Sequence, residues 1–225
     1  MRELQNGLWH WESPHPEWTP DEHWRPEVSS YAIDDGERLL LFDPLAVPSE
    51  LEELLAQRKP VVVLTAPWHE RDTRSLVERF HAPVFAPRPD SQQDLMQKYG
   101  ITAEQAVGGS PDLAWLIGGS GAEAHWFAAG DRLPFGIEAF PGREPNDLVL
   151  WVESRRAVIV GDTLADFGRG FEMPAEWLRE GVTHEAVADG LRPLLGLPVE
   201  FVLPAHGAPT DRAALARALS SSSGA

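Results

Sequence analysis

The sequence contains no cysteine, and this absence limits both its cross-links and its metal ligands. Disulfides and thiolate metal sites are excluded, so a bound metal would have to use His, Asp, Glu or water. Basic residues are also scarce, with 19 Lys and Arg against 35 Asp and Glu, and the net charge is −16 at pH 7. Such a charge repels phosphate groups, so we expect no nucleic acid and no membrane among the partners.

Long apolar runs are absent as well. No stretch approaches the roughly 18 consecutive apolar residues of a membrane-spanning helix. The first residues, Met1 to Trp11, show no basic segment followed by an apolar run, so no signal peptide is predicted there. We therefore expect a cytoplasmic protein. The sequence does not indicate an oligomeric state.

The residues that are present are sufficient for a large core, since 43% of the 225 residues are hydrophobic. We expect a single domain over residues 28–219. An irregular segment rich in Trp and His, residues 1–27, is predicted to pack on it, and residues 220–225 are predicted to be a disordered tail. The tryptophans predicted either to cover the core or to line a pocket are Trp9, Trp11 and Trp24.

Apolar runs and turn signals predict strands and helices in alternation, with a run of strands in the middle of the chain. Predicted strands cover residues 28–33, 38–42, 61–64, 83–86, 125–128, 136–140, 148–152, 157–160 and 199–203. Predicted helices cover 49–58, 73–80, 91–100, part of 174–195, and 211–219. Residues 107–122 are Gly-rich and are predicted to be a long loop. This order indicates the α/β class: a four-layer αββα sandwich of two mixed β-sheets face to face with helices outside.

Five short stretches, taken in order, resemble motifs of the metallo-β-lactamase superfamily. They are LFDP at 41–44, VVLT at 62–65 followed by WHERDT at 68–73, FPGR at 140–143, AVIVGDT at 157–163 and VLPAHG at 202–207. No single stretch is specific, but the ordered set is, and it spans about residues 28–219. The resemblance implies the sandwich fold. It also implies two divalent metals at the sandwich edge, which activate water for hydrolysis.

The metal signature of that family is degenerate in this chain. Aligned on Asp72, the histidines of the family's His-x-His-x-Asp-His motif become Trp68, Glu70 and Thr73, and its Pro-Gly-His motif ends in Arg143. Indole and guanidinium groups offer no lone pair to a metal. The ligands that the resemblance leaves are His69, Glu70, Asp72, Asp162 and His206. His15 is a candidate for an additional ligand.

Two hypotheses about function stay open. In the first, the chain is a hydrolase for a small-molecule ester, lactone, amide or thioester. One divalent ion (zinc, manganese or iron) would activate water, and Asp72, Asp162 and Arg143 would be catalytic. In the second, no metal is bound, and Arg143, helped by Arg71, replaces the metal's charge through paired hydrogen bonds to the carboxylates. The domain would then bind a small molecule or a partner, or use acid–base chemistry without a metal.

Overall fold

The computed structural model describes residues 1–118 and 122–220, and these residues form two β-sheets. The first sheet contains, in spatial order, β1 (Arg2–Gln5), β2 (Leu8–Pro14), β3 (Glu27–Asp34), β4 (Arg38–Phe42), β5 (Lys59–Val63), β6 (Val84–Pro87) and β7 (Ala124–Phe127). The second contains, in chain order, β8 (Arg132–Leu133), β9 (Ile137–Pro141), β10 (Leu148–Val152), β11 (Ala157–Gly161) and β12 (Phe201–Pro204). The helices are α1 (Glu52–Gln57), α2 (Thr73–Phe80), α3 (Gln92–Tyr99), α4 (Ala114–Ile117), α5 (His184–Leu191) and α6 (Arg212–Ser220).

The alternation of side chains along the strands explains why the sheets stack. In β4, Leu40 and Phe42 face the second sheet, while Leu39 and Leu41 face the helices outside the first sheet. Successive residues of a strand point to opposite faces, so a strand covered on both sides reads as a continuous apolar run. Helices α1 and α2 cover the first sheet, and α5 and α6 cover the second. The predicted four-layer αββα sandwich is confirmed.

The prediction that residues 1–27 are irregular is wrong for the first half of this segment. Strands β1 and β2 form a hairpin that extends the first sheet, and β2 pairs with β3 from Leu8 opposite Ile33 to Pro14 opposite Glu27. Trp9 and Trp11 pack with the helix-side core, and the Trp11 indole donates a hydrogen bond to the Leu45 carbonyl. Leu8 and His10 lie on one face of β2, and Trp9 and Trp11 lie on the other. Because both faces carry bulky side chains, no alternation of polar and apolar residues revealed the strand.

Other predictions need smaller corrections. The Gly-rich stretch contains the short helix α4, and its residues 119–121 lie outside the described residues. The predicted tail begins inside α6, at Ser220, and residues 221–225 also lie outside the described part of the chain. Within the described residues, no helix combines the length and the apolarity that crossing a membrane requires.

The topology brings several chain segments to one edge of the sandwich. Strands β4 and β5 run parallel in the first sheet, and β11 and β12 run parallel in the second. Their carboxyl ends are followed by Asp43, Thr65, Asp162 and Ala205. Loops at such strand ends are where a rigid sandwich can present side chains that are distant in sequence.

Candidate functional site

His69 is clamped between two carboxylates at this edge. Its Nδ1 atom lies 3.1 Å from Asp43 Oδ2 and 2.9 Å from Thr65 Oγ1, and its Nε2 atom lies 3.1 Å from Asp162 Oδ1. Burial alone would lower the pKa of His69, but the charges of Asp162 and Asp43 outweigh it and raise the pKa to about 9. His69 is therefore an imidazolium at neutral pH.

Asp162, at the end of β11, is surrounded by donors. Its Oδ2 atom accepts a hydrogen bond from Trp68 Nε1 at 2.8 Å and lies 3.5 Å from Arg143 Nη2. Its Oδ1 atom faces His69 Nε2 and lies 3.4 Å from His206 Nε2. Burial acts to raise the pKa of Asp162, yet His69 and His206 hold that pKa well below its usual range. The carboxylate is thus charged, and both its oxygens are engaged.

Arg143, in the loop after β9, takes the place where the family has a histidine. Its Nε atom lies 3.0 Å from Asp147 Oδ2, and its Nη1 atom donates to the Trp177 carbonyl oxygen at 2.8 Å. The guanidinium carbon lies 5.6 Å from the ring centre of Trp68 and 5.3 Å from that of Trp177. Two indoles and a carboxylate therefore hold a permanent cation beside Asp162.

Asp147 was not identified from the sequence. It is fully buried, and burial, opposed by Arg143 and reinforced by Asp162, raises its pKa to about 7. Its Oδ2 atom also accepts a hydrogen bond from Thr163 Oγ1 at 3.1 Å. The only signal in the sequence is an acidic residue four positions after Arg143, a spacing that carries no meaning outside a helix.

His206, after β12, lies in an aromatic enclosure. Its ring is approached edge to face by Trp24 at 4.7 Å, Trp177 at 5.2 Å and Phe167 at 5.8 Å between centroids. It is 6% exposed, and burial lowers its pKa. Among the described residues, its Nδ1 atom has no hydrogen-bond partner. Trp24 belongs to the irregular residues 15–26, so the second half of the predicted N-terminal segment covers the site.

The structure does not bring Glu70 and Asp72 to Asp162. Glu70 accepts hydrogen bonds from the backbone N–H of Leu113 at 2.8 Å and from Trp115 Nε1 at 2.6 Å. Asp72 accepts one from the backbone N–H of Ala46 at 2.5 Å. The prediction that these two carboxylates join Asp162 is wrong, because each satisfies a neighbouring loop instead.

The other predicted residues have separate positions. Arg71 does not contact Asp162, since its Nη1 atom donates to the carbonyl oxygens of Ser29 at 3.0 Å and Asp43 at 2.7 Å. The backbone of Arg71 adopts φ of 42°, which is uncommon for a residue other than glycine. His15 lies against Trp24 at 5.6 Å between ring centres. The residues that do come together are His69, Asp162, Arg143 and His206.

The residues present do not fit the metals that the family implies. Both nitrogens of His69 and both oxygens of Asp162 are already engaged, and Trp68 and Arg143 occupy the space around Asp162. Of the ring nitrogens and carboxylate oxygens in this described cluster, the Nδ1 atom of His206 and the Oδ1 atom of Asp147 are unengaged, and two ligand atoms fall short of the three or four protein ligands of a typical metal site. Across residues 1–118 and 122–220, no group of three or more His, Cys, Asp or Glu side chains is arranged to hold a metal ion.

A small cavity of about 290 Å³ opens beside these residues. Its walls include Trp68, which donates to Asp162, and His15 from the covering segment. Arg71, Glu70 and Asp72, which do not join the cluster, also line it. The volume is suited to a small organic molecule. The cavity therefore provides a place for a ligand next to the charged cluster, with the segment 15–26 as part of its wall.

Comparisons with known proteins agree with this architecture. No protein-family model matches the sequence, and no curated protein matches it. The di-iron-bound form of TTHA1623 is 25% identical, with a TM-score of 0.54 over 85% of this chain and 93% of that chain. A metallo-β-lactamase from Pontibacter korlensis is 18% identical, with a TM-score of 0.60 over 97% of this chain and 96% of that chain.

A third solved structure gives the same result. The metallo-β-lactamase family protein TTHA1429 from Thermus thermophilus is 17% identical, with a TM-score of 0.61 over 96% of this chain and 78% of that chain. The chain is a protein of the metallo-β-lactamase fold, as the ordered motifs predicted.

Proposed function

We propose that this chain binds a small molecule at the Asp162 edge of the sandwich without a metal ion. The observation that carries the proposal is that Asp162 is already neutralised by side chains of the protein. His69 and Arg143 supply positive charge, and Trp68 supplies a hydrogen bond. A carboxylate in that position would otherwise be a costly buried charge.

The charge balance of the cluster supports this view. The imidazolium of His69 and the guanidinium of Arg143 face the carboxylates of Asp43, Asp162 and Asp147. The raised pKa of Asp147, about 7, means that this third carboxylate is often protonated near neutral pH. The guanidinium of Arg71, which also acts on Asp43 and Asp162, adds a third positive charge. The side chains of the protein thus offset these carboxylates, and no additional cation is needed to stabilise the cluster.

Metal-dependent hydrolysis of an ester, lactone, amide or thioester is the competing hypothesis. TTHA1623 has been solved in a di-iron-bound form, so the fold accommodates metals in that protein. In this chain the mechanism would need Glu70 and Asp72 to leave their loops and Arg143 to leave Asp162. The proposed role of Arg143 and Asp162 is therefore to hold Trp68, which forms a wall of the binding cavity. Asp72 lines the same cavity but is bonded to the Ala46 N–H and not to Asp162.

Metal analysis tests the proposal most directly. The protein would be purified without chelator or added metal, and its zinc, manganese and iron content measured by plasma mass spectrometry. We expect less than about 0.1 equivalent in total, and no uptake when each ion is added in turn. One tightly bound equivalent, lost in Asp162→Asn and kept in a Glu78→Gln control, would overturn the proposal. So would hydrolysis of p-nitrophenyl acetate that stops when a chelator is added.

The remaining predictions about partners are unchanged. We propose a small molecule as the ligand, with neither nucleic acid nor membrane as a partner, because the net charge of −16 opposes both. The cytoplasmic location stays a prediction, which fractionation of the native cells would test.

A further inference from the structure

A second cavity, of about 510 Å³, lies at the opposite edge of the first sheet. Strands β5, β6 and β7 run parallel to one another. The cluster around Asp162 is at the edge where β4 and β5 end, whereas this cavity is lined by residues where β5, β6 and β7 begin: Lys59, Pro83 and Glu123. The two cavities are therefore separate, and the proposed function makes no use of the larger one.

Aromatic rings form the walls of this larger cavity. The His125 ring stacks on Phe85 with 4.4 Å between centroids and an interplanar angle of 15°. Phe135 meets Phe85 edge to face at 5.6 Å. Leu55 and Val61 add aliphatic surface. Phe85 also belongs to the core between the sheets, so the cavity is an opening at one end of that core. Flat walls of this kind favour a planar aromatic ligand.

One wall residue has an unusual backbone. Phe135 adopts φ of 71°, a conformation that is a genuine outlier for a bulky side chain. Such conformations persist only where the surroundings impose them, and they cluster at ligand sites. Here the strained turn presents the ring of Phe135 to Phe85 on one side and to the Arg38 guanidinium, at 5.2 Å, on the other. The strain therefore serves to place an aromatic wall.

The polar rim of the cavity is mainly cationic, although the whole chain carries a net charge of −16. Its charged lining residues are Arg38, Arg58, Lys59 and Glu123. Arg58 is committed to Asp34 at 2.8 Å. Lys59, by contrast, is 77% exposed and has a single exposed ion pair, to Glu37.

A further donor at this rim is available. His81 ends α2 and lines the cavity, and its side chain has no hydrogen-bond or ion-pair partner within the described residues. Lys59 and His81 can thus both turn toward a ligand without leaving a buried partner unpaired. Two available donors beside the aromatic walls match a ligand that carries a hydrogen-bond acceptor group. The cationic rim favours an acceptor group with a negative charge.

We propose that this cavity binds a planar aromatic carboxylate. The ring lies against Phe85, Phe135 and His125, and the carboxylate is held by Lys59 and His81. A neutral aromatic molecule would gain the stacking but not the charge interaction, and an aromatic amine would be repelled by the rim.

Binding of 2-naphthoate, followed by isothermal titration calorimetry, tests the proposal on the full chain. We expect saturable binding with a Kd on the order of 0.1 mM, and binding about tenfold weaker for the neutral analogue 2-naphthalenemethanol. Absence of saturable binding at millimolar 2-naphthoate would overturn the proposal, as would equal affinity for the two compounds.

Variants locate the site. Lys59→Gln and His81→Asn each remove a donor from the rim, and each is expected to weaken 2-naphthoate binding several-fold. Arg192→Gln is the matched control, because Arg192, like Lys59, is a cation in a surface ion pair, but it packs outside the second sheet. Equal affinity in all three variants would place the ligand elsewhere. Loss of binding in Arg71→Gln alone would assign it to the Asp162 cleft, and either result would overturn the proposal.

Discussion

The indole of Trp68 donates a hydrogen bond to Asp162 Oδ2 at 2.8 Å, and the same indole forms one face of the slot that holds the Arg143 guanidinium. A side chain that cannot bind metal therefore binds the carboxylate from one side and supports its counter-ion on the other. This pairing is the structural core of the proposed metal-free site.

Removing the charge of Asp162 should destabilise the protein strongly. Asp162→Asn leaves the His69 imidazolium with Asp43 as its only carboxylate and leaves Arg143 with Asp147, both largely buried. Breaking a buried ion pair from one side costs about 3 kcal/mol or more in the free energy of unfolding. Urea denaturation would measure this loss in the free energy of unfolding. Glu78→Gln, a change on the exposed face of α2, is the control that should have no effect. A change as small as that of the control would show that the network contributes little.

Truncation of Arg143 should be repaired by a small cation. Arg143→Ala opens a slot between Trp68 and Trp177 beside the carboxylates of Asp162 and Asp147. We expect a loss of stability of about 3 kcal/mol, partly restored by methylguanidinium at about 10 mM in a thermal unfolding assay. The wild-type protein serves as the control, since its slot is filled. An equal response of both proteins would mean that Arg143 does not act as the internal counter-ion.

Stability should fall as the pH rises above neutrality. The folded-state pKa of His69, about 9, exceeds its ordinary value of 6.5, so the folded state binds the proton more tightly. This contribution is complete below pH 6.5 and is lost as the pH rises through about 9. The pKa of Asp147 is also raised, from 3.8 to about 7, so its contribution to stability is likewise lost as the pH rises, but between these lower pH values.

Denaturation midpoints measured from about pH 7 to pH 9.5 would reveal the His69 contribution. The lowered pKa values of His206 and His10 do not interfere, because their effect on stability lies below pH 6.5. His69→Asn should flatten the profile in this window. A wild-type profile that is flat or rises from about pH 7 to 9 would contradict the assignment of a charged His69.

The segment 15–26 should shield His206 from reagents. Trp24 contributes the ring nearest to His206, and Trp24→Ala would remove that cover. We expect faster modification of His206 by diethyl pyrocarbonate, measured by peptide mass spectrometry. His184 lies in α5, away from Trp24, and its ring is hydrogen-bonded to the Ala218 carbonyl oxygen. Its modification gives an internal reference within each sample. Unchanged reactivity of His206 relative to His184 would show that the segment does not control access.

The sequence by itself determined the layered fold. Apolar runs at 38–42, 148–152 and 157–160 have the length of strands buried on both faces, and the last two also contain β-branched residues. Their order with the helices allows few arrangements. The motif resemblance also predicted that the family's metal ligands are replaced, since it aligns Trp68 and Arg143 with histidines of the family. The sequence did not reveal β1 and β2. In β2, Leu8 and His10 on one face and Trp9 and Trp11 on the other erase the alternation of polar and apolar residues.

Only the tertiary structure decided which charges meet. The sequence alone does not distinguish Glu70 and Asp72 from Asp162. Glu70 and Asp72 accept from backbone N–H groups of other loops, 43 and 26 positions away. Asp162 is instead held by side chains up to 94 positions away. Asp147 emerged as a site residue only because burial beside Arg143 gives an ordinary acidic side chain an unusual environment. Hydrogen bonds and ion pairs depend on distances of a few ångströms, and such distances between loops are set by how the two sheets stack.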